Sequence, residues 1–397
     1  MDRPKEKTVQ DVREKSSQEQ TDKTELRIVF LLAILLAFTL SIFFSYMLKI
    51  APKKSDYIGV WDKLSSTEGL PYIDLVFEYP VLIGMVVKAL TWLSDSYEAF
   101  LGLNAALALF SGIGSTIILY KMSKDNGRFS VSSISIFWIF APSMLMYGVY
   151  NWDLFGLFFM LFSIYMFLQN KLTLSSISLA IGICIKLFPV FLLPIYLLKT
   201  KQVNEKVKIV SLVGVTWLLI NLPFAVANFD GWFYPYRWQI IMRPPNPDNL
   251  WGLLIKEFGG GYIDFYQVHD PEVSASLSVV LSATLLTSYL AMLYFKREEN
   301  ILKLGFYVFT VFLLFNKIYS PQYNLWLLPF IFLVKAPIVI FYLFDVPNFL
   351  ILGAHTPWFI FSPQYSYHIA ILLVVRHIAL MLMLLFNLKE RRILMDS

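Results

Sequence analysis

The sequence predicts an all-α, multi-pass membrane fold of about twelve crossing helices, taking ~20 apolar residues per crossing. Three observations predict it. The 397 residues are 57% hydrophobic and 15% charged, with a mean hydropathy of +0.61, whereas soluble domains carry about a quarter charged residues. Apolar runs close to bilayer length recur from residue 28 to residue 386, separated by short polar stretches. Lysine and arginine gather in five segments, the N-terminal tail, 121–128, 199–208, 296–303 and 389–392, as they do in cytoplasmic loops.

Residues 1–26 are polar, mixed in charge and free of aromatic residues, the composition of a disordered cytoplasmic tail. The run IVFLLAILLAFTLSIFFSYMLKI is too long for a signal-peptide core and lacks a cleavage site, so it reads as a retained first helix. If all five basic segments share one side, neighbouring segments are joined by an even number of crossings. Only one more crossing then fits before Lys121, and it is 99–120. The fourteen-residue stretch PVLIGMVVKALTWL becomes a helix lying in the interface, with Trp92 and Lys88 as anchors. The first external loop spans 51–98.

Spans follow at 131–150 and 152–168, then a pair interrupted at Lys186-Leu187-Phe188-Pro189, where proline ends the helix. Halves too short to cross are tolerated where the break is covered by protein or lines a cavity. A span at 207–228 leads out to a second external loop, 229–274, rich in Trp, Tyr and Pro. Spans at 275–295, 304–318, 323–334, 337–352 and 369–386 return the chain to a cytoplasmic tail, 389–397. A single transmembrane domain, 27–388, of a cell-membrane protein with both termini cytoplasmic is the result.

The one cysteine, Cys184, lies in LAIGICIKLFP and excludes a disulfide framework within one chain. A net charge of +5 spread over loops gives no nucleic-acid footprint. No P-loop, HExxH, GxSxG or strand-borne GxGxxG occurs. The four histidines show no metal-ligand spacing. Neither a cofactor nor a metal is expected.

Acidic residues concentrate in the first external loop as Asp56, Asp62, Glu68, Asp74 and Glu78. Asp62 and Glu68 read as solvated loop charges. Asp56, just beyond the first helix, and Asp74 and Glu78 in PYIDLVFEYP have hydrophobic and aromatic neighbours. These three are candidates for a general base that takes a proton from an attacking hydroxyl; the alternative for each is a capped loop carboxylate. Lys186 stands in an apolar stretch, where an uncompensated lysine costs ~2.5 to 3.5 kcal/mol. Its partner is a phosphate headgroup or the carboxylate of Asp153, unless it snorkels to the interface. Asp153, in YGVYNWDLFG, either caps its helix, in competition with Asn151, or serves the site. Arg237 and Arg243, in YPYRWQIIMRPPNPDNLWG, bind phosphate oxygens or anchor lipid headgroups. His355, in LLGAHTPWF, assists a carboxylate or is a hydrogen-bonded structural residue.

In order along the chain, SDYIGVW, GLPYIDLVFEYP, YNWDLFG, IKLFPVFLLP, PDNLWGLL and SPQYNLWLLP resemble the polyprenol-phosphate-dependent membrane glycosyltransferases of the GT-C fold, and most closely glycosyltransferase family 87. The similarity extends over nearly all of 28–386. The family's catalytic aspartate just after helix one corresponds to Asp56. Its Tyr-Pro-Pro segment corresponds to Tyr79-Pro80-Val81, which departs at the second proline. The resemblance implies an inverting transfer of a hexose, mannose foremost, from a polyprenyl- or dolichyl-phosphate carrier to a lipid or glycan acceptor at the non-cytoplasmic face. Neither a nucleotide-sugar nor a metal is implied at the site. Asp153, Gln322 and Tyr323 are expected to line the substrate cavity. Membrane lipids are the only further partner. A transporter or lipid flippase is the rival reading, since a broken helix and a buried lysine also mark transporters. The one-sided clustering of acids and long loops favours an interfacial enzyme.

Overall fold

The computed structural model describes residues 4–49, 55–125, 130–243, 245, 248–258, 271–354 and 366–395. Among these the fold is all-α. The helices are α1 (Pro4–Lys49), α2 (Asp56–Ser65), α3 (Val81–Trp92), α4 (Tyr97–Asp125), α5 (Val131–Ile134), α6 (Pro142–Tyr147), α7 (Asp153–Leu168), α8 (Leu172–Ile185) and α9 (Leu192–Lys199). They continue with α10 (Val203–Ala227), α11 (Phe229–Arg237), α12 (Leu250–Phe258), α13 (Pro271–Phe295), α14 (Ile301–Phe315), α15 (Asn324–Val334), α16 (Ile338–Ala354) and α17 (Ser366–Met395).

Among the described residues five segments are long and apolar enough to cross a membrane: Thr24–Tyr46, Tyr97–Asp125, Val203–Ala227, Ser276–Phe295 and Ile369–Lys389. Seven shorter apolar helices fill the space between them, among them Val81–Trp92, Leu172–Ile185 and Ile301–Phe315. Long helices α10 and α13 leave Val215, Leu219, Val226, Val279, Leu286 and Leu290 exposed. Apolar faces of that kind suit a hydrocarbon solvent, and the chain reads as an integral membrane protein. Helices α14 and α15 are buried on nearly every side and form the middle of the core. There Phe188 stacks on Trp326 at 4.1 Å, and Phe330 lies against Phe309 at 5.2 Å.

Three expectations change. The segment expected to be a disordered tail is helical from Pro4 and continuous with the first span. Its Glu, Lys, Gln and Arg are good helix formers, and proline is well placed at a helix start. The span expected over 131–150 is broken into α5, a π-helical turn at Ser135–Ile139 and α6, because Pro142 cannot donate to the preceding turn and starts a new helix instead. Lys88 is not an interfacial anchor. It is 1% exposed, and its Nζ donates to the carbonyls of Leu64 at 2.9 Å and Thr67 at 2.5 Å. It thereby staples α3 to the C-terminal end of α2, while the exposed Trp92 remains free to meet the bilayer surface.

The segment after α2 and the start of α11 are joined by a tight corner. Tyr72 adopts φ 70°, a left-handed conformation that is costly for a bulky side chain. Its hydroxyl donates to the carbonyls of Tyr79 at 2.8 Å and Pro80 at 2.7 Å. Glycine at two positions makes room for it: a Cβ on Gly84 would lie 1.9 Å from the Tyr72 hydroxyl oxygen, and one on Gly231 2.3 Å from the Tyr72 carbonyl oxygen. Asn228 accepts from the Gly231 N–H to cap α11 and donates to the Ile73 carbonyl at 2.9 Å. The 70–80 segment is thus fixed before it delivers Glu78 and Tyr79 to the site.

At the opposite end of the bundle the basic segments meet one another. Lys124 pairs with Glu25, Gln169 donates to Asp125 at 3.2 Å, and Lys199 donates to the Arg297 carbonyl. The chain leaves the site at Asp153, runs down α7, returns up α8 to Lys186 and descends again through α9 to Lys199. Site and basic segments therefore occupy opposite ends.

Candidate active site

Asp56 is the first residue of α2, where the positive end of the helix dipole favours a carboxylate. Its Oδ2 accepts from the Tyr79 hydroxyl at 2.9 Å and from Asn151 Nδ2 at 3.1 Å. Each donor is held in turn. Tyr57, fully buried beside Asp56, donates to the Asn151 carbonyl at 2.9 Å and meets Trp152 edge-on at 5.1 Å. Trp152 Nε1 donates to Asn104 of α4 at 2.7 Å, which fixes the short turn between α6 and α7. Burial, and then the charge of Asp56, push the Tyr79 phenol well above its usual range, so it remains a donor.

Beneath Tyr79 lies an ion pair. Lys186 Nζ is 3.1 Å from Asp153 Oδ1 and 4.7 Å from the centre of the Tyr79 ring. Asp153 is completely buried and Lys186 is 8% exposed, so each charge is held where it could not stand alone. The lysine reaches this depth because α8 stops at Ile185 and Lys186 is extended, φ −145° and ψ 139°. Gly156 makes way for its stem; a Cβ there would meet Lys186 Cβ at 3.2 Å and Cγ at 3.3 Å. Asn151 is the capping residue, its Oδ1 accepting from the Asp153 N–H at 2.9 Å. Asp153 is thus the partner of Lys186, and the cap of its helix is Asn151.

Glu78 lies within electrostatic reach of Asp56, Arg243, Lys186 and Lys63. Its side chain is exposed to solvent. Burial first, then the Asp56 charge, raise its carboxyl above the usual range against the pull of the cations. Tyr323 stacks on Trp326 at 3.9 Å, within reach of Arg243, Lys186, Asp153 and Asp56. Gln322 is half-buried in the same turn. Arg243 donates from its two terminal nitrogens to Gln239 Oε1 at 3.4 Å and Ser320 Oγ at 3.3 Å.

The fold therefore brings together Asp56, Glu78, Asp153, Lys186, Arg243 and Tyr323, residues from six separate stretches of sequence. Two expected members stay away. Asp74 is exposed, and its Oδ2 accepts from the Leu70 N–H at 2.8 Å, closing the local turn. Arg237 is exposed at the end of α11 and is not among the charges acting on Glu78 or Tyr323. His355 lies outside the described residues. Among the described residues no three His, Cys, Asp or Glu side chains gather as a metal site would require.

Sequence reading passed over several groups. Asn151 was weighed only as a cap, and the Tyr79 hydroxyl was given no part. Lys317, in FNKIYSPQY, is 7% exposed, and its Nζ donates to the Ile240 carbonyl at 2.9 Å. Deeper, Asp345 accepts from the Ser143 N–H at 2.9 Å and Asn324 Nδ2 at 3.0 Å, and Arg376 donates to Asn348 Oδ1 at 2.8 Å and the Asp248 carbonyl at 2.6 Å. Each is a lone charge in an apolar run, the signal that singled out Lys186.

The family model of glycosyltransferase family 87 matches residues 77–316, more than half of the chain. The chain belongs to glycosyltransferase family 87. It is accordingly a glycosyltransferase, and the transporter reading falls away. None of the curated proteins matches it. The matched region of this family 87 member takes in Glu78, Tyr79, Asp153, Lys186 and Arg243 and begins after Asp56.

Proposed function

We propose that this glycosyltransferase moves a hexose, mannose foremost, from a polyprenyl- or dolichyl-phosphate carrier to a lipid or glycan acceptor at the non-cytoplasmic face, with inversion. The observation carrying the reading is a carboxylate held by two donors in the same cluster as two cations. Both donors engage Asp56 Oδ2, which leaves Oδ1 for the proton of the attacking hydroxyl. As that oxygen bonds to the anomeric carbon, the carbon–oxygen bond to phosphate breaks and negative charge grows on the leaving group. Arg243 and Lys186 are the cations available to stabilise it in a partly dry site, where such stabilisation is strongest. A single displacement inverts the anomeric centre.

The basic segments at the far end supply the orientation: they belong in the cytoplasm, and the site opens on the other side. About twelve crossings, at ~20 residues each or fewer where helices are broken, accommodate this arrangement. Purified protein incubated with radiolabelled polyprenyl-phosphate mannose and a total membrane lipid extract tests the reading. Transfer of label to a lipid or glycan product is expected. Transfer only from another sugar would replace mannose, and transfer only from a nucleotide-sugar would overturn the donor assignment.

A further inference from the structure

Two cations at this end of the bundle form no close ion pair among the described residues, although Glu78 lies within electrostatic reach of Arg243. Lys186 is matched by Asp153, whereas neither Lys317 nor Arg243 forms an ion pair among the described residues. Lys317 gives one hydrogen bond to a backbone carbonyl, and Arg243 gives two long ones to neutral side-chain oxygens. The charge of each reaches the other. Like charges held close in a partly buried place repel, at a cost that grows as water is excluded.

The fold nonetheless enforces this proximity. Asn249, fully buried, donates from Nδ2 to the carbonyls of Asn316 at 2.8 Å and Lys317 at 3.0 Å. Trp251 Nε1 donates to the Leu314 carbonyl at 2.8 Å. With the Lys317–Ile240 and Arg243–Ser320 bonds, these contacts lace Ile240, Arg243, Asn249 and Trp251 to 314–320 around the two cations. A pair of like charges fixed in this way is stabilised by an anion carrying more than one charge.

We propose that Lys317 is a further phosphate-binding residue, acting with Arg243, and that it holds the phosphate more tightly as the departing monoester than as the diester donor. This inference rests on the lipid-phosphate donor proposed above. In the transfer, the acceptor oxygen bonds to the anomeric carbon and the electron pair of the broken carbon–oxygen bond stays on the phosphate oxygen. The acceptor proton goes to Asp56. The phosphate thus passes from one negative charge to two. A cation that responds to the second charge favours the transition state over the bound donor, the condition for raising turnover. The same preference retains the product, so lipid phosphate inhibits the enzyme.

The test compares binding of dodecyl phosphate and dodecyl methyl phosphate to the full-length protein in detergent at pH 8, by calorimetry. The first is a dianion there, its second pKa being about 6; the second carries one charge. Wild type is expected to prefer the monoester by roughly tenfold or more, the equivalent of one charge-assisted hydrogen bond. Lys317→Gln should lose that preference, its affinity falling at least about tenfold more for the monoester than for the diester. Lys317→Arg retains the charge and should retain the preference, which serves where the glutamine variant does not fold. In wild type the preference should also vanish below about pH 6, as the monoester takes up its proton. An undiminished preference in Lys317→Gln, or one in wild type that ignores pH, would overturn the inference while leaving the donor assignment in place. Binding of neither ester to wild type would overturn both.

Discussion

Replacing Tyr79 by Phe removes a single oxygen from the site and leaves the ring on which Lys186 rests. The ring lies 4.7 Å from the lysine nitrogen and its hydroxyl 2.9 Å from Asp56 Oδ2, so the substitution separates the hydrogen bond from the cation–π contact. A hydrogen bond to a charged group contributes about 1.5 to 3 kcal/mol. With ~1.4 kcal/mol per factor of ten in rate, losing it should slow transfer by about 10- to 100-fold if the bond serves to aim the base. Asn151 still donates at 3.1 Å, which keeps the loss below that of removing the carboxylate. The assay is steady-state transfer with varied donor. Turnover should fall while the KM for donor changes less than about twofold, since the phosphate cations are untouched. In an Asp56→Asn background the same change should cost nothing further, because the two act as a unit. Unchanged turnover in Tyr79→Phe, or a full additional loss in the double variant, would refute a positioning role for this hydroxyl.

Three further outcomes follow from the same geometry. Glu78 binds its proton more tightly folded than unfolded, so its ionisation destabilises the fold, and stability falls as pH rises from about 4 through the raised folded value. Thermal unfolding of Glu78→Gln should match wild type near pH 4 and exceed it increasingly toward neutrality; a constant gap would contradict the assignment. Gly84→Ala places a Cβ against the Tyr72 hydroxyl and should destabilise by about 1 to 3 kcal/mol, read as a lowered unfolding midpoint, with loss of transfer as the corner carrying Tyr79 shifts. Lys201→Cys in a Cys184→Ala background should react with an impermeant thiol reagent only after the membrane is opened. Labelling of intact cells would reverse the topology.

How much of this was legible in the sequence varies with the range of the interaction involved. Long spans such as 99–120 and 207–228 announce themselves by composition alone, and the break at Lys186 by one proline. The ion pair of Lys186 with Asp153 was among the alternatives because a buried charge requires a partner and few were present. Asp56 was singled out by its place after the first helix. The bonds that aim it were not readable, because Tyr79 and Asn151 lie 23 and 95 residues away and meet it only through the Tyr72 corner and the Trp152 turn. Lys88 misled for a similar reason. At that spacing a lysine near tryptophan reads as an interfacial anchor, and only the arrival of two carbonyls from 64–67 turns it inward. Lys317 carried the same signal as Lys186 and was passed over.

The central claim, that Asp56 is the base for glycosyl transfer, is tested most directly by single-turnover transfer in Asp56→Asn beside donor binding in the same preparation. The asparagine keeps the size of the side chain and can still accept from Tyr79 and Asn151, but it cannot take the acceptor proton. The account predicts a loss of about 10²- to 10⁴-fold in the chemical step, with donor affinity and unfolding midpoint close to wild type. Wild-type turnover in this variant, accompanied by its loss in Glu78→Gln, would move the base to the neighbouring carboxylate, and wild-type turnover in both would contradict carboxylate-assisted transfer at this site.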